Sequence, residues 1–159
     1  MKAGITGHQN IEDSTKEWLY SSMSLLIKRY NIDYGYSNLA IGADQLFVEC
    51  LRSLSISFTF ILPCMLYDNT FKSIQDKTRY LILKSEANDI IELNYDEPSE
   101  EAFYEGGKKI VDLSEIMFAI WDGKKAKGLG GTGDIVEYSK EKGKKLIHLN
   151  TEEMKIFNI

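Results

Sequence analysis

The sequence predicts an α/β chain: a Rossmann-like three-layer sandwich, with a mostly parallel sheet of about six strands between two layers of helices. Two observations carry this reading. Short β-rich runs alternate with stretches of helical periodicity along the whole chain, the pattern of repeated βα units. Runs such as FTFIL and IMFAI are continuously apolar, as expected of parallel strands buried on both faces.

The elements follow in order. Lys2 to Thr6 is a short apolar strand that runs into the turn-forming GHQN. Ser14 and Glu17 fit a capping box, and Leu19, Met23, Leu26, Ile27 and Tyr30 recur at helical spacing, so a helix spans about Ser14 to Tyr30. SNLAI (Ser37 to Ile41) reads as the second strand, entering GAD, and Gln45 to Ser53 as the next helix. Ser55 to Leu62 is a β-rich strand that stops at Pro63, which cannot donate to a ladder. A helix from about Thr70 to Glu86 precedes a short strand, Ile90 to Leu93. Ser99 caps another helix, with Glu100 and Glu101 in its first turn, running to about Leu113. Ile116 to Trp121 is a strand, Gly133 to Glu141 a helix and Lys145 to Leu149 the last firm strand. The tail, Thr151 to Ile159, fits one helical turn or a weak edge strand.

Length and composition bound the answer. At 159 residues the chain is read as one domain, 1–159, with 43% hydrophobic residues and only two prolines. The net charge of −5 argues against a nucleic-acid partner, although Lys124, Lys125 and Lys127 form a local basic strip. The two cysteines, Cys50 and Cys64, show no metal-ligand spacing, so neither a metal nor a cofactor is expected. No apolar run approaches the length needed to cross a bilayer, and the start MKAGITG reads as a folded element, so a cytoplasmic location is expected.

Three unusual clusters fall at carboxyl ends of strands, where open α/β sheets bind ligands. Thr6, Gly7, His8 and Gln9 follow the first strand, Gly42, Ala43 and Asp44 the second, and Trp121, Asp122 and Gly123 begin a loop holding five glycines between Gly123 and Gly133. Gly130, Gly131, Thr132 and Gly133 precede a helix whose free N–H groups and dipole favour a phosphate. The same glycines also suit a tight turn. Asp44 either caps its helix or receives ribose hydroxyls, and Asp134 either complements the helix dipole or opposes a phosphate there. His8 has no identifiable acid partner in the sequence. Trp121 is a packing residue or a stacking one.

The segments GITGHQN, AIGADQLFVE, FILPCMLYDNTF and AFYEGGKKIVDLSEIMFAIWDGKKAKGLGGTGDIVEYSKEKGKKLIHL resemble the SLOG superfamily, the Rossmann-like grouping of Lonely Guy phosphoribohydrolases and DprA-type proteins. The likeness runs from about Ala3 to Leu149 and is strongest to the small bacterial branch with Gly-His-Arg, Gly-Ala-Asp and Trp-Asp-Gly before Gly-Gly-Thr. Gln9 stands where that branch carries arginine. The Lonely Guy motif Gly-Gly-x-Gly-Thr-x-x-Glu is matched by Gly130, Gly131, Thr132, Gly133 and Glu137, with Asp134 in place of the threonine. The resemblance implies a phosphate at Gly130 to Gly133 and a nucleotide edge lined by Pro63. For a hydrolase it implies Glu137 facing the ribose as the catalytic carboxylate. Those enzymes also carry an arginine in the preceding helix, where this sequence has Gly106; Lys108 and Lys109 are near, and Arg79 is the candidate substitute.

The resemblance therefore implies a domain that binds a phosphorylated nucleoside or nucleotide-derived second messenger, of ADP-ribose or cyclic-nucleotide type. It would act as a sensor or a sponge, in a setting such as antiphage defence. The alternative is a phosphoribohydrolase that cleaves the N-glycosidic bond of nucleoside 5′-monophosphates. Relatives of this type imply a homodimer or higher homo-oligomer, for which Phe103 and Tyr104 are candidate surface residues; both also suit packing on the sheet.

Overall fold

A computed structural model describes the whole chain except residues 126 and 127, so Lys127 of the basic strip lies outside the described residues. The elements are β1 (Lys2–Gly7), α1 (Asp13–Arg29), β2 (Tyr34–Ser37), α2 (Ala43–Ser53), β3 (Ser57–Leu62), α3 (Ile74–Glu86), β4 (Asp89–Glu92), α4 (Glu100–Leu113), β5 (Ile116–Trp121), α5 (Thr132–Glu141), β6 (Lys145–Asn150) and β7 (Lys155–Asn158). They build a seven-stranded sheet in the order β4-β3-β2-β1-β5-β6-β7, parallel except for β7, which pairs antiparallel with β6. Strand order reverses between β1 and β5, which pair from Ala3↔Ile116 to Gly7↔Ile120.

Two apolar clusters make the outer layers adhere. Leu19, Met23, Leu26 and Ile27 of α1, Phe47 and Leu51 of α2, and Tyr80 and Leu83 of α3 bury against one face. Ile110 and Val111 of α4 and Ile135 and Val136 of α5 bury against the other. Phe58, Phe60, Phe118 and Ile147 are almost wholly enclosed, as the continuous apolar runs required. Among the described residues no helix is long and apolar enough to cross a membrane.

Several boundaries differ from expectation, each for a local reason. The Ser14–Glu17 capping box does not form. The helix starts earlier, with Glu12 at its N-cap position, and the Thr15 hydroxyl donates back to the Glu12 carbonyl at 2.9 Å. The second strand is Tyr34–Ser37 rather than Ser37 to Ile41. Residues 38–41 are spent on a turn instead: Leu39 takes a left-handed φ of 56°, and the Asp44 carboxylate accepts the Asn38 N–H at 2.8 Å and the Ser37 hydroxyl at 3.0 Å. Gly35 belongs inside that strand because Leu51 and Phe47 of α2 press onto it where a Cβ would stand. The helix expected from Thr70 is a 3-10 turn, Tyr67–Thr70, and then α3, capped by the Ser73 hydroxyl accepting from the Asp76 N–H at 3.0 Å. The Ser99 cap forms as expected, accepting from the Ala102 N–H at 3.0 Å. The tail resolves as the edge strand, so the sheet has seven strands rather than six; Asn150 Oδ1 builds the turn before it by accepting from Glu152 and Glu153 at 3.0 and 2.9 Å.

Candidate functional site

A cavity of about 760 Å³ opens over the carboxyl ends of β3, β2, β1 and β5, across the point where strand order reverses. Thr6, Gly7, His8 and Gln9 line it from the end of β1, Asp44 from the start of α2, and Pro63 from the end of β3. Trp121, Asp122, Lys124 and Lys125 enter from the end of β5, and Gly130, Gly131, Thr132 and Gly133 from the approach to α5. The three clusters separated in sequence thus meet at one edge of the sheet.

Gly42 and Ala43 act from behind. Gly42 has φ 88°, and a Cβ there would collide with the carbonyl oxygens of His8 and Gln9. The Ala43 N–H donates to the His8 carbonyl at 3.1 Å, which pins the first turn against the second. Gly7 allows the same approach, since a Cβ there would run into Ala43 and the Ile120 carbonyl.

His8 has an acid partner after all. Its Nε2 accepts the Asp122 N–H at 3.1 Å and lies 3.3 Å from Asp122 Oδ1. Burial raises the Asp122 pKa, but the Lys124 amide, His8 and the Lys124 ammonium outweigh it and hold the carboxyl below its ordinary range. Trp121 donates its indole N–H to the Lys124 carbonyl at 2.8 Å, which ties the loop down at its root. Gly123 has φ 84° beside Asn150 and His148 and does not line the cavity.

Asp44 serves as the brace of the β2–α2 turn and also lines the cavity. Burial pushes its pKa up to about 6, against the opposing hydrogen bonds from Ser37, Asn38 and Ala40.

The glycine loop divides its labour. Gly130 has φ 82°, and a Cβ would press on Tyr104 and the Glu100 carbonyl of α4, so packing alone requires glycine there. Its N–H is taken by Asp134 Oδ2 at 3.0 Å. The Thr132 and Gly133 N–H groups open α5 and have no acceptor among the described residues, which leaves two helix-end donors at the cavity wall. Asp134 therefore completes the helix start rather than lining the cavity.

Two sequence candidates lie elsewhere. The Glu137 side chain is 67% exposed, bonded to Lys140 at 3.0 Å, and outside the cavity lining. One turn further into α5 than the glycines, it faces solvent because Ile135 and Val136 take the inward positions. Arg79 bonds Glu49 at 2.7 Å in a separate depression between α1, α2 and α3. Nor does α4 supply a cation: a Cβ on Gly106 would sit 2.9 Å from Asn38 Nδ2, and Lys108 is held by Glu105 at 2.7 Å. The described lysines of the cavity come instead from the β5 loop.

An aromatic wall was not foreseen. Tyr67, Phe71 and Phe103 line the β3 side of the cavity, with ring centroids 5.5 Å apart for Tyr67–Phe71 and 6.1 Å for Tyr67–Phe103. Phe103 is thus engaged within the chain, and Tyr104 backs the glycine loop. The signal was present in YDNTF, which follows Pro63 at a strand's carboxyl end and places Tyr67 and Phe71 four residues apart. Burial, and then the nearby Asp44 carboxylate, raise the Tyr67 phenol well above its usual value, so it stands as a neutral donor.

No family model matches the chain, and no curated protein sequence does. Solved structures do match. DNA processing protein A from Helicobacter pylori, described as having a unique single-stranded DNA binding mode, aligns with a TM-score of 0.66 at 18% identity, over 93% of this chain and 64% of that one. The same protein from Streptococcus pneumoniae aligns with a TM-score of 0.67 at 12% identity, over 92% of this chain and 49% of that one. Their fold is shared here. A molybdenum cofactor binding protein from Rippkaea orientalis has it too, with a TM-score of 0.58 at 16% identity, covering 94% of this chain and 76% of that one. The chain spans 64% and 49% of the two DNA processing proteins it matches. The Rossmann-like α/β fold read from the sequence is borne out.

Proposed function

We propose that this domain binds a phosphorylated nucleoside or nucleotide-derived small molecule across the carboxyl edge of its sheet. One observation carries the reading: the cavity has two chemically different ends. At the β5 end stand the Thr132 and Gly133 amides with Lys125 and with Lys124, whose ammonium is bonded to Glu152, donors and cations suited to phosphate. At the β3 end stand Tyr67, Phe71 and Phe103, flat apolar faces suited to a ring. β3 and β5 are three strand spacings apart in the sheet, about 14 Å. A ligand with a phosphate at one end and a planar base at the other suits that arrangement.

The role we propose is that of a sensor or sponge for a nucleotide-derived signal. Its setting in antiphage signalling and its assembly as a homo-oligomer are drawn from the sequence resemblance. The Glu137 side chain lies outside the cavity lining, which weighs against a Lonely Guy-like hydrolase that would use it. Any turnover would fall to His8, with the ionised Asp122 carboxylate beside it, both lining the cavity. The single-stranded DNA binding described for the H. pylori neighbour makes a short DNA strand a necessary comparison, against which the net charge of −5 weighs.

The test is retention and release. The purified protein is incubated with AMP, NAD, ADP-ribose, cyclic ADP-ribose isomers, cyclic oligonucleotides and a short DNA strand, freed of unbound ligand, denatured and chromatographed. Intact nucleotide at about one equivalent is expected. Free base with ribose phosphate beyond one equivalent would establish the enzyme instead. Retention of nothing, or of the DNA strand alone, would overturn the proposal.

A further inference from the structure

Tyr67 is 4% exposed and lines the cavity, and no hydrogen bond among the described residues uses its hydroxyl, which opens onto the cavity rather than joining the enclosed unpaired atoms Ser24 Oγ and Gln45 Oε1. Buried tyrosine hydroxyls ordinarily find a partner. Its neighbour Tyr80 shows the ordinary case, donating to Asp68 Oδ1 at 2.7 Å. The Tyr67 ring meets Phe60 at 6.2 Å, Phe71 at 5.5 Å, Tyr80 at 5.8 Å and Phe103 at 6.1 Å. A phenylalanine ring would make all four contacts. The hydroxyl is therefore the one thing tyrosine adds here, and no described protein group uses it.

We propose that Tyr67 reads the base of the ligand, its hydroxyl donating a hydrogen bond to a ring acceptor on the edge of a nucleobase seated at the aromatic wall. The inference deepens the binding reading above and rests on it. Two features give it direction. The raised pKa keeps the phenol protonated, so it donates. The aromatic wall lies on the β3 side, away from the Thr132 and Gly133 amides, so Tyr67 addresses the end of the ligand opposite the phosphate. Tyr67 is a specificity residue in this account and takes no part in bond making.

The test compares Tyr67→Phe with the unaltered protein, using AMP and ribose 5-phosphate as probes in a direct binding titration. The variant should melt no lower than the parent, because no protein hydrogen bond is lost. The parent should bind AMP more tightly than ribose 5-phosphate. Tyr67→Phe should weaken AMP about tenfold, the loss of one hydrogen bond, and leave ribose 5-phosphate unchanged. Unchanged AMP affinity, or an equal loss for both probes, would overturn the inference. If the parent binds ribose 5-phosphate and AMP equally, the base-reading role falls while the phosphate site survives. If it binds neither, this inference falls, while the binding reading is decided separately by the full retention panel.

Discussion

His8 and Asp122, 114 positions apart in the chain, are joined at the ends of β1 and β5: the Asp122 N–H donates to His8 Nε2 at 3.1 Å, and the Asp122 carboxylate lies 3.3 Å from the same atom. The pair closes the strand-reversal point beneath the cavity. His8→Ala removes one partly buried hydrogen bond and is expected to lower unfolding free energy by about 1 kcal/mol. It should also weaken AMP binding, because it frees the root of the loop that carries Lys124 and Lys125. Urea unfolding and a binding titration on the same variant measure both effects. A stable variant with full affinity would show that the pair is not part of the site.

Two glycines with positive φ should respond differently to alanine. Gly42 (φ 88°) has the His8 and Gln9 carbonyls where a Cβ would go, whereas Gly143 (φ 63°) has nothing within 4 Å. Gly143→Ala therefore meets only the left-handed backbone cost, about 1 kcal/mol. Gly42→Ala adds a collision with backbone that cannot yield cheaply, and is expected to cost more than about 2 kcal/mol. Paired denaturant titrations test the ordering, which would fail if the two variants were equally stable.

Asp44 predicts a pH dependence. Its pKa is raised to about 6 in the folded chain, above the ordinary aspartate value of ~3.9 in the unfolded one. The folded state therefore holds the extra proton between those values. The associated stability is fully present below about pH 4 and is lost as pH rises through about 6. The span corresponds to at most about 3 kcal/mol. In Asp44→Asn that part of the slope should vanish. The difference in unfolding free energy between parent and variant, followed from pH 4 to 7, reads it directly. A difference that stays flat would contradict the burial argument.

Glu137→Ala and Arg79→Ala should leave nucleotide binding unchanged, since neither side chain lines the cavity. Each breaks only a surface ion pair, Glu137 with Lys140 at 3.0 Å and Arg79 with Glu49, so stability should move by no more than about 0.5 kcal/mol. A loss of binding in Glu137→Ala would return Glu137 to the ligand site.

Much of the candidate site was legible because strand ends are legible. IMFAI ends in Trp-Asp, FTFIL ends in Leu-Pro, and a parallel sheet must bring such ends to one edge. The second strand was misplaced because YGYS carries a glycine that local propensity penalises, and only Phe47 and Leu51 packed on it reveal why glycine belongs there. The glycine loop suits a phosphate cradle or a tight turn by sequence, and the structure divides it: Gly130 answers to α4 and its amide to Asp134. The sequence places Phe71 inside a helix from about Thr70 and gives Tyr67 no role, whereas the 3-10 turn Tyr67–Thr70 interrupts that run and both residues line the cavity.

By itself the sequence determined the α/β alternation, the burial of its central strands and the edge of the sheet at which the unusual turns would gather. Those properties follow from periodicity and from local turn chemistry, which each segment carries alone. Only the tertiary structure decided which side of each helix faces that edge. It turned Glu137 to solvent, drew Arg79 to Glu49 and joined His8 to Asp122. Such choices depend on which distant residues claim the buried positions first, and motif spacing contains no record of that competition.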